Sequence, residues 1–198
     1  THLYPAMPYT SYAKMTDSDV AALYQYFMDE VTPVDTPSPK TELDFPFNIR
    51  ASMLGWNALF HSQKRFEADP GKSAQVNRGD YLVNALAHCD TCHTPRNVLM
   101  AADNAKALSG GSLGAWYAPN ITSDKTSGIG AWSSDELVAY LRSGHVEGKA
   151  QAAGPMAEAV EHSLQYLGEE DLKAIAAYLL QTRPIATREP QARHTFGQ

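Results

Sequence analysis

Cys89-Asp90-Thr91-Cys92-His93 is the stretch on which the reading of this chain turns. Two thiols separated by two residues and followed at once by an imidazole form C-x-x-C-H, the pattern that attaches a c-type heme. At this spacing both sulfurs can reach the vinyl groups of one porphyrin. The histidine that follows is then held under the iron as its proximal ligand. Other chemistries fit less well. A structural zinc site takes four ligands, typically two such pairs. The chain has only these two cysteines, and adding His88 and His93 would crowd the ligands into six adjacent residues. A redox dithiol expects a βαβ surrounding, and no β-rich run precedes Cys89. A disulfide across two residues would constrain very little chain. One covalent heme c on Cys89 and Cys92, with His93 on the iron, is therefore expected.

The rest of the composition agrees with a soluble cofactor-wrapping chain. Its 198 residues are 43% hydrophobic and 19% charged, enough for a core in one domain with an extension or in two small ones. The formal net charge is −6 and no basic stripe appears, which excludes nucleic acid as an expected partner. Residues 1–50 hold seven acids and three bases, so the acidity concentrates in a solvated or docking N-terminal quarter. No apolar run approaches membrane-spanning length, and no charged-then-apolar signal peptide opens the chain. Attachment of heme to C-x-x-C-H normally follows export. The expected product is thus a processed, periplasmic protein, membrane-associated through a complex.

Working outward from the motif, helical periodicity dominates and period-2 alternation is nearly absent, so the chain reads as all-α. Residues 1–15 are aromatic and proline-rich and read as loop. Thr16 can cap a helix whose Val20, Leu23, Tyr24 and Phe27 share one face. Pro33, Pro37, Pro39 and Pro46 make an extended linker, and residues 49–61 form a short apolar packing helix. A helix from about Val76 leads into the motif and stops by Pro95. Residues 101–131 read as a long loop that a ligand would have to order. Ser133 and Glu136 open a helix that Gly144 ends. Residues 156–164 make a short helix, and Gly168 to Leu180 a last one with Leu172, Ile175, Ala176 and Leu179 inward.

A six-coordinate heme needs a second ligand opposite His93, and methionine raises the potential where histidine lowers it. Met156, in Gly154-Pro155-Met156, lies 63 residues beyond His93, far enough for the chain to wrap the ring. Met100 is too near the proximal side, and Met28 and Met53 sit on apolar helical faces. Met7 and Met15 lie far upstream. His145 and His162 are the competing ligands.

Several motifs in order carry a resemblance. Asn77-Arg78-Gly79-Asp80-Tyr81-Leu82-Val83, Cys92-His93-Thr94-Pro95-Arg96, Trp116-Tyr117-Ala118-Pro119-Asn120-Ile121-Thr122, Gly128-Ile129-Gly130-Ala131-Trp132 and Gly154-Pro155-Met156-Ala157-Glu158 resemble the second module of the three-heme cytochrome c subunits of membrane-bound bacterial dehydrogenases acting on alcohols, aldehydes or gluconate. The resemblance spans about residues 50–183. It implies a class I cytochrome c fold with an N-terminal helical extension, and His93 and Met156 as iron ligands. Residues 1–34 resemble the closing part of a preceding module, with Met7 as a former ligand that no longer holds iron. Residues 35–72 are then linker and packing helix, 73–184 the heme domain and 185–198 a tail.

The resemblance places Pro119 where its carbonyl accepts the proximal imidazole N–H. Asn120, Trp132 and Arg96 become candidate partners of the heme propionates. Tyr117, Ile121, Leu137, Leu141 and Met100 become the apolar wall. The implied function is electron transfer rather than catalysis. Electrons would come from a dehydrogenase subunit or neighbouring heme module and pass toward a quinone or oxidase. A peroxidase-like heme with an open site, and a structural or sensory docking module, are the alternatives. The helical face at Val20, Leu23, Tyr24 and Phe27 is expected to pack near Trp56, Leu59 and Phe60, because so short a helix is not stable alone.

Overall fold

Three helices of this chain begin where a side chain, Thr16, Ser73 or Ser133, replaces a missing backbone partner. The computed structural model describes residues 3–5, 7–37, 39, 42–46 and 48–188. The chain divides into two compact units, Thr1–Glu67 and Ala68–Gln198.

In the first unit, α1 (Tyr9–Tyr12), α2 (Asp17–Asp29) and α3 (Ser52–Phe60) follow one another. Thr16 caps α2 by accepting from the Asp19 amide. The helical turn of α1 replaces the loop expected over residues 1–15. It also changes what α3 receives. Tyr9 donates its hydroxyl to Asn57 Oδ1 at 2.6 Å and sets its ring edge-on to His61. Arg65 holds Asp17 at 2.6 Å and the Ala13 carbonyl, and the Phe66 amide donates to Lys14. Ser11, Met15 and Met53 are the buried residues among those described here. The expected packing of α2 on Trp56, Leu59 and Phe60 does not occur. Val20, Leu23, Tyr24, Phe27 and Leu59 are exposed.

In the second unit, Ser73 caps α4 (Ala74–Tyr81), and Gly168 opens α8 (Glu169–Leu179) with three acids in the first turn, where the helix dipole favours them. These two helices form the main crossing. A Cβ on Gly79 would lie 2.0 Å from the Ala174 carbonyl oxygen, so only glycine permits the approach. Leu82, Val83, Leu172, Ile175 and Leu179 make the core around it. Arg78 closes the side of the crossing on Asp171 with two bonds of 2.8 Å. Ser133 and Glu136 form the capping box of α6 (Ser134–Ser143), and Gly144 ends it at φ +73°. The short α7 (Pro155–His162) follows.

The chain is mostly helical, and its described residues include two small hairpins that period-2 counting missed. The first pairs β1 (Gly111–Leu113) with β2 (Trp116–Ala118), inside the segment expected to be loop. The second pairs β3 (His145–Val146) with β4 (Ala150–Gln151). Ladders of two or three residues are too short to show alternation. Among the described residues no helix is long and apolar enough to cross a membrane. Part of the expected tail, residues 189–198, lies outside the described residues.

Candidate heme site

The motif is placed by a change of helical pitch. After Tyr81 the chain widens into one π turn, Leu82–Leu86, a feature that often marks functional sites. His88 then adopts φ +39°, and the short α5 (Asp90–His93) begins. Cys89 donates its amide to Val83 O at 2.9 Å, so the first thiol hangs from the π turn. Both cysteines are free and half-buried. Below them the backbone of β1 is pressed against the motif. Gly110 donates to His93 O at 2.7 Å, and a Cβ on Gly111 would meet Cys92 O at 2.4 Å.

His93 is buried and its Nδ1 lies 2.7 Å from Pro119 O. A carbonyl can only accept, so Nδ1 carries the proton and Nε2 keeps its lone pair. Burial lowers the pKa of His93, with the Pro119 bond opposing, so the ring is neutral near pH 7. This is the protonation state that a ligating imidazole needs. Burial first, then the Asp90 charge, pushes the Cys89 thiol up to about 12. Burial likewise raises Cys92. The sulfurs are thiols, not thiolates. Among the described residues no group of three or more His, Cys, Asp or Glu could hold a metal ion. The donor set fits covalent heme: two neutral thiols, one neutral imidazole with a fixed tautomer, and a thioether on a separate element.

That thioether is Met156, at the start of α7 and packed on the same core cluster as Cys89. Gly154 precedes it at φ +51°, a backbone state that suits glycine. The indole of Trp116 lies against Gly154, 2.5 Å from where a Cβ would stand. Sequence reasoning gave Trp116 no such role, although the hairpin and the methionine loop both carry glycine at the approach. Thr94 was also missed. It is buried, and its Oγ1 accepts from the Leu108 amide at 2.9 Å, tying the chain after the motif to the long loop.

The remaining expected residues fall into two groups. Ile121 packs on the core, and Leu137 and Leu141 are buried. Met100 and Tyr117 are exposed in the polypeptide. Met100 sits at φ +63° in a turn held by Asn97 Oδ1, which accepts from the Leu99 and Ala101 amides and aims the loop outward. Arg96 donates to Thr91 O at 2.7 Å, clamping the motif itself. Trp132 is held edge-on by Tyr140, with Lys149 above its face. Asn120 is buried and its polar atoms are engaged by the chain. Its Nδ2 donates to Ile185 O at 2.7 Å and Thr187 Oγ1 at 3.0 Å, and its Oδ1 accepts from the Thr122 amide and hydroxyl. It pins the first residues after α8 to the loop that carries Pro119.

No family model matches the chain. Curated relatives do. The fructose dehydrogenase cytochrome subunit of Gluconobacter japonicus is 53% identical over 178 residues, covering 89% of this chain and 36% of that protein. The gluconate 2-dehydrogenase cytochrome c subunit of Pantoea cypripedii is 42% identical, covering 89% of this chain and 42% of that one. These relatives are cytochrome c subunits of dehydrogenases. A protein of Cereibacter sphaeroides named diheme cytochrome c-type is 40% identical, with 90% of this chain and 59% of that protein covered. The chain therefore spans about 36–59% of the length of these relatives.

Proposed function

We propose that this chain binds one covalent heme c through Cys89 and Cys92, with His93 and Met156 on the iron, and carries single electrons for a dehydrogenase. The observation that carries this reading is the His93–Pro119 bond beside two free, neutral thiols. When bound, the heme supplies a one-electron iron couple. The chain does the rest. Cys89 and Cys92 would hold the group covalently, each thiol S–H adding across a vinyl C=C with no leaving group. Pro119 fixes the imidazole tautomer and raises its basicity. Thr94, Gly110 and Gly111 lock the loop beneath the motif. Electrons would arrive from a dehydrogenase subunit or a neighbouring heme module and leave toward a quinone or oxidase, in the periplasm.

A pyridine hemochrome assay on the purified chain tests the attachment, with one heme per chain expected and none overturning the reading. Met156→Ala should open the iron to cyanide or imidazole and lower the potential. An unchanged reduced spectrum would pass the ligand role to His145, His162 or another methionine.

A further inference from the structure

Met156 is delivered by a strap, residues 144–155, that has little regular structure of its own. Its β3–β4 hairpin pairs His145 with Gln151 and Val146 with Ala150 and goes no further. An isolated hairpin is at best marginally stable in water. The strap is therefore placed by what holds it from outside. At its base the Ala152 amide donates to Gly144 O at 2.7 Å, and Ala152 is buried. Near the methionine, the Trp116 indole lies against Gly154. At the hairpin tip, Lys149 donates to Glu136 Oε2 at 2.6 Å, with its ammonium 5.5 Å from the centre of the Trp132 ring.

The tip contact is built into the start of α6. The Glu136 oxygen that takes Lys149 also accepts the Ser133 amide at 2.7 Å, which closes the capping box. Lys149 first, and the Ser133 amide second, hold the Glu136 carboxyl below its ordinary range. Tyr140, one turn further along α6, sets its ring edge-on to Trp132. Gly144 ends α6, and five residues later Lys149 is back at the first turn of the same helix. An open surface ion pair contributes little, because two long side chains must be ordered to make it. Here the carboxylate is already fixed by the cap and the ring by its neighbour, so only the lysine remains to be ordered. The side chains of Lys149 and Glu136 are 36% and 32% exposed.

We propose that Lys149 is a positioning residue for Met156: by latching the hairpin tip onto Glu136 and Trp132, it sets how often the methionine sulfur leaves the iron. The inference rests on the reading of Met156 as the iron ligand. Met156 follows Lys149 by seven residues, and the strap between them is anchored at Ala152 and Gly154. Releasing the tip leaves those two anchors alone, so the strap opens more often. Each opening exposes the iron to an outside ligand. The latch moves no proton and no electron; it acts on the lifetime of the sulfur–iron bond.

The test follows imidazole binding to the oxidised, heme-loaded chain by stopped flow, at imidazole concentrations where departure of the sulfur limits the rate. Lys149→Met keeps the aliphatic stem and removes the charge. Glu136→Gln keeps a capping oxygen for Ser133 and removes the carboxylate. Lys149→Met should speed departure by about three- to ten-fold, the combined range of such an ion pair and a cation–π contact. Glu136→Gln should give part of that, since the Trp132 contact stays. Lys149→Arg should stay near the parent rate, and the double variant should be no faster than Lys149→Met alone. Amide exchange over residues 144–156 of the same proteins should rise with the rate while α8 stays constant. Parent-like rates and exchange in Lys149→Met overturn the proposal. So does a Lys149→Arg protein as fast as Lys149→Met, and so does full additivity in the double variant. Met156→Ala, run in parallel, separates the two claims. If it leaves the near-infrared sulfur-to-iron band of the parent unchanged, the ligand reading fails and the latch falls with it. If it abolishes that band while Lys149→Met leaves the rate alone, the latch alone fails.

Discussion

Gly79→Ala adds one methyl group at the α4–α8 crossing and tests whether that crossing holds the second unit together. On the present backbone the new Cβ would stand 2.0 Å from Ala174 O, 2.6 Å from its carbonyl carbon and 2.7 Å from Tyr178 Cβ. Heavy atoms rest at about 3.5 Å or more, so the helices would have to part by roughly an ångström. Two of the three obstacles are backbone atoms, so no change of rotamer relieves them. Overpacking of this kind costs about 1–3 kcal/mol, and a contact this close belongs at the upper end. Alanine returns somewhat under about 1 kcal/mol through helix propensity. The net loss should be about 2 kcal/mol, or roughly 5–8 °C in melting temperature for a domain of this size. Scanning calorimetry of the full chain measures it. Gly55→Ala in α3 is the control, since nothing lies within 4 Å of its added Cβ. That variant should be neutral or more stable by up to about 1 kcal/mol. A Gly79→Ala protein as stable as the Gly55→Ala protein would refute the packing argument.

The ion pair beside the crossing makes a smaller, pH-dependent contribution. Arg78 holds the Asp171 carboxyl below its ordinary range. A depressed folded-state pKa gives stability that is present above the unfolded value of about 3.9 and is lost as pH falls through the folded one. Asp171→Asn should therefore cost under about 1 kcal/mol at neutral pH, given the partial exposure of both partners, and should remove this part of the acid loss. Identical acid limbs in urea titrations of the two proteins would contradict it. Asn120→Ala strands the Thr122 hydroxyl and the Ile185 carbonyl, and guanidinium unfolding should show a loss of about 2–3 kcal/mol. A loss no greater than that of an exposed surface substitution would rule out Asn120 as the pin of the segment after α8.

The sequence by itself determined much of what rests on neighbours within a turn or two, though not the short turn α1 or the two hairpins. C-x-x-C-H names its chemistry because the two sulfurs and the imidazole are spaced by the chain itself. Ser133, Glu136 and Gly144 bound α6 for the same reason: caps are made by residues at most a few positions apart. The Pro119 carbonyl was legible only through resemblance, as 26 residues separate it from His93. Tertiary structure alone decided the rest. Asn120, expected to face a propionate, instead binds Ile185 and Thr187, more than sixty positions away. Trp116 closes on Gly154 across the chain. The stripe of α2 has the same apolar pattern as α8, yet one is open and the other sealed. A helical pattern states that a face can be buried; whether it is depends on another element arriving.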